Sequence, residues 1–179
     1  MPFELQPVLT GELLDLRPLR AGDFEDLFAV AADPLIWEQH PEPDRCTEER
    51  FRIFFREAME SGGALIALDR RDGRVIGSSR FHAYDAARSE VEIGWTFLAR
   101  SHRGGQYNGE MKRLMLQHAF TFVDRVLFFI GPENIRSQRA VEKIGGVRVG
   151  LRPNATGQVR AVYEITAAAH ARMREASEA

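Results

Sequence analysis

Apolar residues in this chain follow two rhythms: a spacing of three and four that marks helices, and short alternating or continuous runs that mark strands. Residues 13–19 (Leu-Leu-Asp-Leu-Arg-Pro-Leu) alternate weakly and stop at Pro18, which predicts a short first strand. Phe24, Leu27, Phe28 and Ala31 predict a helix that begins near Gly22 and Asp23, with acidic residues in its first turn. Pro34, Pro41 and Pro43 rule out one continuous helix across 33–46. Thr47, followed by Glu48 and Glu49, reads as the N-cap of a second helix with Phe51, Phe54, Phe55 and Ala58 inward and Gly62-Gly63 at its end.

A meander follows, with a strand at 64–68, a hairpin turn at 69–73 and a returning strand at 74–84. Gly77 inside that strand predicts a bulge or a close backbone approach. Residues 91–98 are rich in β-branched and aromatic side chains and predict the central strand. A glycine-rich turn at 101–110 then opens a helix in which Met111, Leu114, Met115, His118, Ala119 and Phe122 share one face. The continuous apolar run 125–130 predicts a strand covered on both faces, parallel to 91–98 through a right-handed crossover. A helix over 133–144, closed by Gly145-Gly146, leads to two last strands at 147–151 and 159–166, joined by a turn at 153–157. The alanine- and charge-rich tail 167–179 predicts a terminal helix. The order is β-α-α-β-β-β-α-β-α-β-β. This defines an α/β (α+β mixed) sheet, antiparallel in its N-terminal half and parallel at its centre.

Composition narrows the function classes. At 179 residues the chain is expected to form a single domain over 1–179, without repeats or linkers. A net charge of −2 argues against a dedicated nucleic-acid binder. No apolar run approaches the ~20 residues that span a bilayer, and the N-terminal residues lack the pattern of a signal peptide, so a cytoplasmic protein is expected. Cys46 is the sole cysteine and the five histidines show no ligand spacing, so no metal site is expected. Exposed edge strands near the C-terminus leave a homodimer open.

The chemistry concentrates around the turn at 101–110. A strand feeding a glycine-rich turn that opens a helix is a ready anion site, because the first helical N–H groups lack internal partners and the macrodipole adds positive charge there. Arg103, with Gly104, Gly105 and Gly109, lets the backbone approach a phosphate closely.

Three local patterns then carry a resemblance to the GNAT superfamily of N-acetyltransferases, within it to the branch of the ribosomal-protein N-terminal acetyltransferases. They are Glu92-Ile93-Gly94-Trp95 on the central strand, the pyrophosphate loop that begins at Arg103, and Asn134-Ile135-Arg136-Ser137 followed by Glu142-Lys143-Ile144-Gly145. The resemblance implies acetyl-CoA as co-substrate and a primary amine as acceptor, either a protein N-terminus or a small-molecule amine, attacking directly in a ternary complex. It places the pyrophosphate against Arg103, Gly104, Gly105, Gln106, Tyr107, Asn108 and Gly109. The pantetheine arm falls against the backbone of Trp95, Thr96, Phe97 and Leu98. Asn134 is expected at the pantetheine end, as an N-cap, or both. Arg100, Arg136 and Arg139 are candidates for the adenosine 3′-phosphate.

Deprotonating the acceptor calls for a base. Glu92 is the first candidate, with Glu90 second and His82 on the neighbouring strand as a substitute. The tyrosine that many family members use as proton donor is Val141 here, which leaves Ser137 to hydrogen-bond the sulfur or relay through water. Trp37, His40 and His82 are expected at the acceptor, with Glu38 and Glu42 as an acidic wall suited to a cation, and Tyr163 in core or pocket. The loop departs from the family pattern at Gln106, where glycine is expected, and at Asn108, where Gly or Ala is. A side chain at 106 would crowd the diphosphate and be strained if positive φ were needed. That departure motivates a rival reading, a non-catalytic CoA-binding or protein-interaction module. A different acyl donor, such as succinyl, is a third.

Overall fold

A computed structural model describes residues 1–154 and 156–179; Ala155, in the turn expected at 153–157, lies outside the described residues. The chain forms an eight-stranded sheet in the order β1-β2-β3-β4-β5-β6-β8-β7. Its strands are β1 (Leu9–Thr10), β2 (Leu14–Pro18), β3 (Ala64–Asp69), β4 (Val75–Asp85), β5 (Glu90–Leu98), β6 (Arg125–Ile130), β7 (Val147–Pro153) and β8 (Val159–Thr166). The helices are α1 (Phe24–Ala31), α2 (Glu48–Ser61), α3 (Gln106–Ala119), α4 (Ile135–Lys143) and α5 (Ala167–Glu178). Only β5 and β6 pair in parallel; the other neighbours are antiparallel.

The sheet separates two apolar cores. On one face Leu65, Ala67, Phe81, Val91 and Ile93 pack with Met111, Met115 and Val141 of α3 and α4. On the other, Ala64, Ile66 and Phe97 pack with Leu27, Phe51, Phe54 and Phe55 of α1 and α2, and with Trp37. β-strand alternation sends neighbouring residues of β3 to opposite cores, as their membership shows. The proline-rich stretch between α1 and α2 forms two 3₁₀ turns, Pro34–Ile36 and Pro43–Cys46, rather than a helix. Thr47 accepts from the Arg50 N–H and caps α2, and Gly62 at φ +67° ends it.

Two elements differ from the sequence reading. β1 was not expected: two residues are too short to show a period, and its pairing with β2 alone defines it. α3 starts at Gln106, not Met111: the run 106–110 forms a first turn ahead of the apolar face, held by Tyr107 on Asp69 and by Glu110 on the Glu12, Leu13 and Leu14 N–H groups. Gly77 meets both of its expectations. The β3–β4 register slips beside it, and a Cβ there would run into the Phe97 carbonyl oxygen of β5. The edge strand β7 leaves Val147, Val149 and Leu151 exposed.

Gly77→Ala should therefore destabilise the fold by about 1–3 kcal/mol, since backbone on β5 rather than a flexible side chain must give way. Denaturant unfolding measures it, and an unchanged midpoint would mean that β5 yields freely.

Candidate active site

The site begins where two strands part. β5 and β6 pair only from Glu90↔Arg125 to Glu92↔Leu127; beyond that point no strand among the described residues pairs with β5 on this side. The inner edge of β5 from Ile93 onward thus turns its backbone N–H and C=O groups to an open fork. A bulge in β5 accompanies the split. Between Arg80↔Gly94 and Ser78↔Phe97, β4 advances two residues and β5 three. Trp95 sits in that bulge at φ +52°, a left-handed conformation unusual for a bulky residue. Such strain costs on the order of 1–3 kcal/mol and persists where surroundings enforce it. Here the Arg80 guanidinium lies 4.3 Å from the Trp95 ring centroid, and the His82 ring meets it edge-on at 5.1 Å.

The bulge also changes which face each residue uses. Glu92, Gly94, Trp95 and Phe97 turn to the α1–α2 side, whereas Val91, Ile93 and Leu98 turn to α3 and Thr96 reaches Lys112 there. Unbroken alternation would have sent Trp95 to the α3 side.

At one end of the fork lies the glycine turn. Gly104 adopts φ +73°, and a Cβ on Gly104, Gly105 or Gly109 would meet nothing within 4 Å, so the backbone is open to the cleft. Gly105 caps α3 without a side-chain acceptor, leaving the first helical N–H groups available. Gln106 is the first residue of α3 and has no positive φ, so the strain that its sequence position raised does not arise. Neither Gln106 nor Tyr107 belongs to the cleft wall. Tyr107 turns away, its hydroxyl donating to Asp69 at 3.1 Å, with the His102 Nε2 on the same carboxylate oxygen at 2.9 Å. Arg71 completes this cluster, and its hydrogen bond holds the buried Asp69 carboxyl well below the usual range. The cluster pins the glycine turn to the end of β3.

The cleft has a volume of about 720 Å³. Trp37, His40, Trp95, Thr96, Phe97 and Leu98 line one side; Arg103, Gly104, Gly105, Asn108 and Gly109 line one end; Asn134, Ser137 and Arg139 line the other side. Arg100 and Arg136 also reach the wall but are engaged: Arg100 with Asp33, Arg136 with the Ile36 carbonyl at 3.0 Å and with Glu38 at 3.8 Å. Arg103 donates to the Leu35 carbonyl at 3.1 Å. Arg139 and Lys143 have no hydrogen-bond or ion-pair partner among the described residues. Free helical N–H groups, an open glycine backbone and unpaired cations suit a diphosphate, so the residues present fit the nucleotide end of coenzyme A.

Asn134 caps α4, accepting from the Ser137 N–H at 3.3 Å, and lines the cleft at the same time. Val141 is buried one turn beyond Ser137 and also lines the cleft. Tyr163 is core, not pocket: its hydroxyl meets Gln138 at 3.2 Å and Glu142 at 3.0 Å, tying α4 to β8.

The acceptor side departs from expectation. Trp37 and His40 line the cleft, but Glu38 and Glu42 are held by Arg136 and Arg45, and it is the arginines that reach the wall. No acidic wall faces a cation. Burial first, then the Arg45 and Arg160 charges, lowers the His40 pKa to about 3, so this imidazole is neutral at physiological pH. Of the base candidates, Glu90 is taken by Arg125 at 2.7 Å. His82 and Glu92 face each other across β4 and β5, beside the wall rather than in it. The Glu92 carboxylate lies over Gly94, whose missing Cβ leaves it room. Burial raises its pKa to about 7, against a smaller downward pull from Arg80. His82 goes the other way, lowered by burial and then by Arg80.

One residue of the site escaped the sequence reading. Lys112 on α3 is buried and lines the cleft, donating to the Thr96 Oγ1 at 2.5 Å. No local sequence signal distinguishes it from a solvated helix lysine.

A mixed sheet forked at its centre, with a glycine turn and a helix N-terminus facing the fork, is the framework of an acyl-coenzyme A transferase of the GCN5-related type. The chain belongs to the GNAT acetyltransferase family, whose domain description matches residues 14–147. It is 27% identical over 146 residues to a Bacillus subtilis protein named uncharacterized N-acetyltransferase YnaD, covering 80% of this chain and 84% of that one. The crystal structure of a GCN5-related N-acetyltransferase from Brucella melitensis has the same fold, with a TM-score of 0.84 at 21% identity over 97% of this chain and 84% of that one. Spermidine N-acetyltransferase from Vibrio cholerae, in complex with CoA and spermine, matches with a TM-score of 0.68 at 16% identity over 90% and 99% of the two chains.

The cluster that pins the glycine turn and the first residue of α3 should separate in coenzyme A titrations. Asp69→Ala, which releases the pinning cluster, should weaken binding about tenfold, or ~1.4 kcal/mol, while Gln106→Gly should stay within about threefold of wild type. A large effect of Gln106→Gly in isothermal calorimetry would show that its side chain does meet the nucleotide.

Proposed function

We propose that the chain transfers an acetyl group from acetyl-CoA to a primary amine, a protein N-terminus or a small-molecule amine, by direct attack within a ternary complex. The observation that carries the reading is Glu92: a carboxylate raised to about 7 by burial, beside the point where β5 leaves β6. A base with that pKa is half ionised near neutral pH, and a free α-amine at about 7.7–8.0 gives up its proton to it with little cost.

Bound acetyl-CoA supplies an activated acetyl thioester. The N-terminus of α3, Arg103 and Arg139 hold its diphosphate end, and Asn134 the pantetheine end. The backbone N–H groups of Trp95 to Leu98, released by the fork and bulge, hold the arm and polarise the acetyl carbonyl. Trp37, His40 and Trp95 wall the acceptor, with His82 against the Trp95 ring behind them. Since Glu38 and Glu42 are bound to arginines, the acceptor is positioned by aromatic contact and hydrogen bonds, not by a carboxylate cage of the kind that favours polyamines. The regular first turn of α3 supports cofactor binding over a decayed loop, and turnover separates an enzyme from a non-catalytic coenzyme A binder.

Glu92→Gln should lower kcat/KM by about 10²–10³ in an assay of thiol release with a panel of amines, and should remove the rise of rate with pH through about 7. A full rate with an unchanged pH profile would remove Glu92 from the mechanism. Stability gives a check that needs no acceptor. Glu92 binds its proton more tightly in the folded chain, so stability falls as pH rises from 4.5 to about 7. Glu92→Gln, which cannot ionise, should therefore melt above wild type at pH 8 and level with it at pH 4. Equal melting temperatures at both pH values would mean that Glu92 is not a buried acid.

A further inference from the structure

Lys112 has no part in the reading above, yet it occupies the fork itself. Its Nζ lies 2.5 Å from the Thr96 Oγ1 on β5 and 5.6 Å from the Phe128 ring centroid on β6. It therefore bridges the two strands just beyond Glu92↔Leu127, where their pairing ends. The side chain is 6% exposed, and that exposure opens on the cleft shared with Ser137 and Val141. Behind Thr96 stands only another hydroxyl, the Ser79 Oγ at 2.7 Å. No carboxylate and no second cation on β4, β5, β6, α3 or α4 contacts the ammonium among the described residues; burial alone lowers its pKa, to about 7. A buried amine with a single hydroxyl partner costs stability. Among the described residues its other two N–H donors have no partner, and the side chain lines the cleft.

We propose that Lys112 is the general acid of the reaction and serves where the tyrosine of other family members is replaced by Val141. The proposal rests on the acetyl-transfer reading. As the acceptor nitrogen bonds to the acetyl carbon and the carbon–sulfur bond breaks, the sulfur takes the electron pair and a proton from the Lys112 ammonium. Glu92 takes the surplus proton from nitrogen, and solvent in the cleft restores both groups. The sum is amine plus thioester to amide plus thiol. An ammonium beside the departing sulfur meets its developing negative charge and carries a proton for it, whereas a serine hydroxyl is far too weak an acid.

The test uses coenzyme A itself and requires no acceptor. The full-length protein is saturated with coenzyme A, and the thiolate absorbance of the bound cofactor is followed from pH 6 to 10, for wild type, Lys112→Met and Lys112→Gln. The wild type should ionise the bound thiol at least one pH unit below free coenzyme A. Both variants should return it to the free value while binding within about threefold. An unshifted thiol in the wild type, or a shift retained in a folded variant, overturns the role of Lys112 and leaves the acetyl-transfer reading intact. Failure of the wild type to bind coenzyme A overturns both. In turnover, Lys112→Met should lose about 10²-fold in kcat with acetyl-CoA and recover most of it with an acetyl thioester of a strongly acidic thiol. Equal losses with both thioesters would leave Lys112 a packing residue.

Discussion

Everything in this site depends on β5 losing its partner. A parallel pair held along its whole length would satisfy each backbone group within the sheet and leave nothing for a ligand. Here pairing stops after Glu92↔Leu127, and the next three residues hold the bulge at Trp95. Backbone donors freed in this way are fixed by the sheet on their other side, so they require no reorganisation when charge develops near them. The strain at Trp95 is the local cost. Arg80, stacked on the indole and itself lacking partners for Nε and Nη2 among the described residues, helps to hold the conformation.

The bulge also sorts the chemistry onto two faces. It places Glu92 and Trp95 toward α1 and α2, and Thr96 toward α3, within five residues of one strand. The same physical cause then acts on opposite charges. Burial disfavours ionisation, raising the Glu92 carboxyl to about 7 and lowering the Lys112 ammonium to about 7. The two groups thus sit on opposite faces of one strand, with burial the first cause of both shifts. Neither shift depends on an ion pair, so both should survive high salt.

Much of this was legible from residue order. Turn chemistry at 69–73, the phenylalanine face of α2 and the continuous run of β6 each reflect local rules that tertiary packing did not override. The glycine turn was legible for the same reason: residue order alone marks an open backbone that leads into a helix N-terminus. What failed were inferences that needed the folded partners of a side chain or its backbone conformation. Glu38 and Glu42 look like an acidic wall until Arg136, about a hundred residues away, and Arg45 are seen to occupy them. Gln106 looks like a damaged glycine position until the helix is seen to start there. Strict alternation along β5 fails at Trp95 because a bulge leaves no sequence mark when the residue at positive φ is not glycine.

Lys112 shows where such reading stops. A lysine on an amphipathic helix is ordinarily a solvated or snorkelling side chain, and nothing in Met-Lys-Arg-Leu-Met marks it otherwise. Its burial follows from three facts that meet only in space: the fork opens beside α3, the bulge turns Thr96 to that face, and Phe128 supplies an aromatic wall. With the two strands paired to their ends, their hydrogen-bonded backbones would close the gap its ammonium bridges. The open cleft and the burial of Lys112 are therefore two consequences of one parted pair of strands.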